Sequence, residues 1–139
     1  MPTEPDTEAL QAILRRGPPL RLAVLFGSGA RGELRPDSDL DIGIVPEDPD
    51  LPLAAELDLQ LELGAAAGRP IDVVRLDRAS TLLRGQVARD ARLLLEGQPG
   101  AFLAFRVRAT VEYLDFLPLY DEVAERFRQT LIRQAESPK

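Results

Sequence analysis

Three aspartates and a glycine-serine pair carry the chemistry open to this chain. Asp39 and Asp41 alternate with Leu40, Ile42 and Ile44. In an extended strand that alternation sends the two carboxylates to one face and the apolar side chains to the other. Two negative charges on one face repel each other unless something positive lies between them, and a divalent cation is the economical answer. Asp72 stands between Ile71 and Val73 in a third apolar stretch. If that stretch is a strand beside the second, its carboxylate joins the other two and three oxygen ligands approach one point. Magnesium held in this way keeps several waters and takes further oxygens from substrate phosphates. Asp39, Asp41 and Asp72 are thus the candidate metal-binding and catalytic residues, the plainer reading of Asp72 being an edge-strand charge that limits aggregation.

The segment before them suits a phosphate. Gly27 and Ser28 close an apolar run, and the turn through Gly29, Ala30 and Gly32 leaves backbone N–H groups outside any ladder. Such groups cradle phosphate oxygens, and the missing side chain at Gly27 permits close approach. The Ser28 hydroxyl can add a hydrogen bond, or merely cap a following helix. Arg31 is the nearest fixed cation for a triphosphate, unless it is spent on Glu33 or Asp37 at the surface. Asp37 and Ser38 read as turn formers whose backbone shapes the loop, with Ser38 a nucleotide-binding candidate as well. Gly43, on the acid face, reads as a place where a ligand comes close.

Positioning these residues requires strands and helices in alternation. Asp6 or Thr7 can cap a helix to about Arg16, ended by Gly17-Pro18-Pro19, and Leu20 to Phe26 reads as a buried strand. Leu40 to Val45 is a second strand stopped by Pro46. A helix over Leu53 to Ala67 follows, with Leu53, Leu57, Leu61 and Leu63 as its apolar residues and Gly68 just past its end. Ile71 to Leu76 is a third strand. Ser80 or Thr81 caps a helix to about Asp90, Arg92 to Leu95 makes a short strand, and Gly97-Gln98-Pro99-Gly100 breaks the chain. Phe102 to Gln134 reads as helical, ended or kinked by Pro118 at Leu117. The fold class is α/β (α+β), a small mixed sheet of three to four strands covered by helices. It forms one domain, with a core over about 20–97 and C-terminal helices over about 101–135.

Composition narrows the chemistry further. The 139 residues suffice for one domain, and 45% hydrophobic with 29% charged residues is a globular composition. Cysteine and histidine are both absent, which excludes disulfides, thiolate nucleophiles, Ser-His-Asp triads and zinc held by Cys or His. Carboxylates remain as the strong metal ligands, and oxygen ligands suit magnesium, calcium or manganese. Of seventeen basic residues sixteen are Arg. The lone Lys139 is terminal, so no lysine serves as a phosphate-loop cation or Schiff base. A net charge of -6 argues against direct nucleic-acid binding. No stretch reaches membrane-spanning length, and the N-terminus has no positive segment followed by an apolar run, so no membrane is expected and the cytoplasm is the default.

The run from Gly27-Ser28-Gly29-Ala30-Arg31-Gly32 to Ser38-Asp39-Leu40-Asp41-Ile42-Gly43-Ile44-Val45 resembles the G-S-x-A-R-G-x5-S-D-x-D signature of the DNA polymerase beta-like nucleotidyltransferases. More narrowly, it is similar to the minimal nucleotidyltransferases, the MNT antitoxins paired with HEPN ribonuclease toxins. The resemblance covers about 19 residues, extended by Asp72 as the third acid. It implies that Asp39 and Asp41 bind two magnesium ions, and that Asp72 shares one of them and helps deprotonate the attacking hydroxyl. Gly27 and Ser28 would hold the triphosphate of ATP. The implied activity is transfer of AMP from ATP to a tyrosine of the HEPN toxin, with which the chain would form a hetero-oligomer. Two other readings stand beside this one: an antitoxin that neutralises a ribonuclease by binding alone, and a nucleotidyltransferase acting on a small molecule such as an antibiotic. Along the C-terminal helices, Tyr120, Val123, Phe127 and Leu131 form an apolar stripe. It is expected to pack mainly on the domain's own sheet, the alternative being a partner interface shared with Phe102, Phe105, Tyr113 and Phe116.

Overall fold

The structure, a computed structural model, describes residues 5–136 apart from Leu34 and Pro36. Met1 to Glu4, Lys139 and those two positions of the motif lie outside the described residues. The chain runs α1 (Thr7–Arg16), β1 (Leu20–Phe26), a 3-10 turn (Gly27–Gly29), β2 (Leu40–Pro46), α2 (Leu53–Ala67), β3 (Ile71–Arg75), α3 (Thr81–Asp90), β4 (Arg92–Glu96) and α4 (Ala101–Glu136). Local chemistry sets most of these limits. The Asp6 side chain accepts from Ala9 N–H at the start of α1, Ser80 accepts from Leu83 N–H at the start of α3, and Gly68 closes α2 at φ 69°.

The sheet has the order β3-β2-β1-β4, with β2 and β4 antiparallel to β1 and β3 parallel to β2. The parallel pair needs a crossover, which α2 supplies. Alternation splits the sheet into two apolar faces. Ala23, Leu25, Leu40, Ile42 and Ile44 pack with Leu10 and Leu14 of α1 and Leu59 and Leu63 of α2. On the other face Leu22, Val24 and Leu76 pack with Val87 of α3 and with Phe102 and Phe105 of α4. Arg75, buried at the end of β3, is bound by Asp77 (2.7 Å), Glu56 (3.4 Å) and the Pro49 carbonyl (3.0 Å).

Three expectations are corrected here. In α2 the core stripe is Leu59 and Leu63, flanked by Glu56, Gln60 and Ala67, while Leu53, Leu57 and Leu61 are exposed. Leucines at odd positions all along the helix surround its axis, and the 3.6-residue period that docks on the sheet selects only two of them. The C-terminal segment is one helix of 36 residues, and Pro118 lies inside it. Proline leaves one carbonyl without its donor, and Leu114 and Pro118 are both solvent-facing, where water can satisfy it. The stripe of Tyr120, Val123, Phe127 and Leu131 does not pack on the sheet, because its residues are 46–65% exposed. A helix of that length, roughly 54 Å, outruns the sheet it packs on.

The α3–α4 contact is sealed at Gly85, where an added Cβ would stand 2.5 Å from the Tyr113 ring. Gly85→Ala is expected to destabilise the fold by about 1–2 kcal/mol, overpacking outweighing the gain in helix propensity. A urea midpoint measures it, and a midpoint at or above that of the unmutated chain would contradict the contact.

Candidate active site

The site is built at the end of the sheet where β1 finishes and β2 and β3 begin. Register places Phe26 opposite Asp41, and Asp41 opposite Asp72. Residues paired across strands share a face, so Asp41 and Asp72 stand side by side on the face that also carries α3 and α4. The opposite face at this point is occupied by Leu40 and Ile42, both fully buried. Asp39 precedes the strand and is exposed, as is Asp72, while Asp41 is half-buried. Burial, then the charge of Asp72, then that of Asp39 hold the Asp41 carboxyl above the ordinary carboxylate range, with Arg31 pulling the other way. Asp41 therefore senses both of the other acids.

The turn after β1 is fitted to these acids. Gly27 has φ 74°, and a Cβ there would lie 2.6 Å from Asp41 Oδ2. Only glycine supplies both that backbone conformation and that approach. Ser28 lies inside the 3-10 turn instead of capping it, since Phe26 holds the cap position. The N–H groups of Ala30 and Arg31 both donate to Gly27 O (3.2 Å), and that of Glu33 to Ser28 O (3.0 Å). Within the turn expected to offer N–H groups to phosphate, those of Ala30 and Arg31 are thus spent in the loop itself. Gly29 is buried for packing, a Cβ there meeting Leu40 at 2.8 Å.

Arg31 is half-exposed and paired with Glu33 (3.2 Å) and with Asp90 at the end of α3 (3.8 Å). Ser38 accepts from the Arg35 N–H (3.2 Å) and donates its own N–H to Arg35 O (3.0 Å), so its hydroxyl closes the turn that leads into the acids. Arg69 was missed by sequence reasoning: its guanidinium donates to Arg35 O (2.9 Å) and Ser38 O (3.3 Å). It pins the loop before Asp39 from the start of β3, and contacts across more than thirty residues leave no local signal. Gly43 is corrected as well. A Cβ there would stand 2.8 Å from Leu76, so the missing side chain makes room for the protein's own leucine and not for a ligand.

Three carboxylates at one end of the sheet are donors of the type that a hard divalent cation takes. Among the described residues, no group of three or more potential ligands is drawn close enough to hold a metal by itself. Magnesium, which completes its shell with waters and substrate oxygens, does not require such a cage. No helix among the described residues is long and apolar enough to cross a membrane.

An acid pair on adjacent strands, approached by a glycine turn from the strand beside them, is a candidate site for a phosphate-bearing ligand. This chain belongs to the polymerase beta nucleotidyltransferase family, whose model matches residues 8–99, and it is a nucleotidyltransferase. Its likeness within that family runs to the minimal members. It is 31% identical over 105 residues to the protein adenylyltransferase MntA of Aphanizomenon flos-aquae, covering 69% of this chain and 70% of that one. It is 36% identical over 77 residues to the protein adenylyltransferase MntA of Shewanella oneidensis, covering 55% of each. Among solved structures, a chain of a toxin-antitoxin structure with AMP-PNP superposes with TM-score 0.68 at 27% identity, over 95% of this chain and 99% of that one. A chain from the complex of a tri-AMPylated Shewanella oneidensis HEPN toxin with its MNT antitoxin does so with TM-score 0.59 at 25% identity, over 94% and 99%.

Proposed function

We propose that this nucleotidyltransferase moves AMP from ATP onto a tyrosine of a partner HEPN toxin and acts as its antitoxin. The observation that carries the reading is the row formed by Asp41 and Asp72, with Gly27 against the Asp41 carboxylate. Asp39, Asp41 and Asp72 would hold two magnesium ions, whose charge offsets that of the triphosphate and of the developing oxyanions. Asp72, exposed beside Asp41, takes the proton of the attacking tyrosine. Gly27 and Ser28 face the triphosphate, Arg31 exchanges Glu33 for a phosphate oxygen, and Ser38 keeps the loop in shape. The attacking oxygen approaches the α-phosphorus in line, and pyrophosphate leaves.

A toxin as acceptor is supported by the two MntA relatives, by the matched complexes, and by the apolar stripe that α4 presents to solvent. Mixed with ATP, magnesium and its cognate toxin, the chain is expected to add about 329 Da to a toxin tyrosine, the mass of one adenylyl group. Asp72→Asn should abolish the gain while the complex still forms, because partner contacts fall on α4 and on the loops. Neutralisation of the ribonuclease by substoichiometric Asp72→Asn protein, equal to that by the unmutated chain, would replace this reading with one of antitoxic binding alone.

A further inference from the structure

Four residues along β2 from Asp41, roughly 13 Å at strand rise, the same sheet face opens into a cavity. It has a volume of about 400 Å³ and lies between the sheet and α3 and α4, within the roughly 300–1,000 Å³ of small-molecule sites. Leu76, which fills the space over Gly43, stands between this cavity and the acids. One wall is apolar, formed by Leu22, Val45 and Phe105; the rest carries Arg21, Arg84 and Arg108.

The concentration of guanidinium groups is unusual for a chain of net charge -6. Irregular register between Leu20 and Leu22 makes Arg21 the extra residue of β1, and a bulge of this kind re-aims a side chain, here toward the cavity. Arg21 has no ion pair among the described residues. Arg84 and Arg108 share one carboxylate, that of Glu112, at 2.7 and 3.1 Å. The Arg84 Nε–H is buried with no hydrogen-bond partner among the described residues, so Glu112 does not satisfy all the donors of this guanidinium. Asp77, the one acid lining the cavity, is already neutralised by Arg75 at 2.7 Å. Three cations thus face the cavity against one carboxylate left to balance them. A charged fork over an apolar wall suits a phosphate on a flat apolar body.

We propose that this cavity is a second, metal-independent binding site for a nucleoside monophosphate, its phosphate on Arg21, Arg84 and Arg108 and its base against Phe105. AMP titrated by calorimetry into the whole chain in excess chelator tests it. Saturable binding is expected, weakening as salt rises and falling about tenfold or more in Arg21→Ala and in Arg108→Ala. Both side chains are solvent-facing, so an unchanged melting temperature of each unliganded variant verifies its fold. Arg31→Ala, in the loop beside the acids, should bind AMP as before. The proposal is overturned by the absence of binding in chelator, by loss of binding in Arg31→Ala with retention in Arg21→Ala and Arg108→Ala, or by inorganic phosphate binding as tightly as AMP.

Discussion

Asp41→Asn is expected to lower nucleotidyl transfer about a thousandfold or more while the protein melts no lower than before. The activity loss follows, on the proposed function, from removing one of the charges that would hold magnesium, where several kcal/mol of transition-state stabilisation is at stake and each 1.4 kcal/mol is roughly tenfold. The stability follows from the sign of the Asp41 shift. Burial, Asp72 and Asp39 raise its carboxyl pKa in the fold, so the native chain holds this proton to higher pH than the unfolded chain does. Below the unfolded value both states are protonated and Asp41 costs nothing. As pH rises from the unfolded value through the folded one, ionisation next to two like charges works against the fold, and above the folded value that cost is fully present. Asn is the same size and carries no charge, so the mutant loses this pH-dependent penalty. Melting curves from acidic to neutral pH, with and without the change, measure it. A mutant that melts several degrees lower at neutral pH, or that retains transfer, would contradict the crowding of carboxylates at this edge. Asp39→Asn should lower activity in the same way.

Gly27→Ala is expected to remove transfer almost as completely and, unlike Asp41→Asn, to weaken the fold by about 1–3 kcal/mol. Two separate faults combine. The backbone at φ 74° is strained for any residue with a Cβ, and that Cβ would lie 2.6 Å from Asp41 Oδ2, pushing the carboxylate out of its row with Asp72. A double-mutant cycle with Asp41→Ala separates them. Shortening Asp41 should return the part of the stability lost to the clash and leave the part lost to φ. Strict additivity of the two changes would show that glycine and carboxylate do not touch.

The strands were legible because each is an apolar run or an alternation bounded by Gly or Pro, and the observed limits of β1 and α2 coincide with those read from the residues. The pairing of Asp72 with Asp41 was legible in principle, since one register of a third strand beside the second brings the two acids together. What failed was non-local. Gly43 signals an open space, but only the fold reveals that Leu76, from beyond β3, fills it. Arg31 reads either as a cation for phosphate or as a partner of Glu33 or Asp37, and only the fold adds Asp90 of α3 within 3.8 Å. The leucines of α2 and the stripe of α4 are apolar in sequence, but which of them meet the sheet depends on helix rotation and on where the sheet ends. Neither is encoded in spacing alone.

The same mismatch between helix and sheet divides the chain mechanically. Up to Phe116 and Leu117, α4 rests on Gly85, Val87 and the second core; beyond them every described residue is exposed. A free helical segment of this length is marginal in water, so it opens far more often than the sheet does, and amide exchange should be fast after Pro118 and slow before Ala109. Local opening is what a protease needs. Digestion of the isolated chain would clip it near the proline and leave a resistant body, whereas a partner lying along the stripe would shield the cut. The length of the surviving fragment then reports occupancy of the helix without any measure of catalysis.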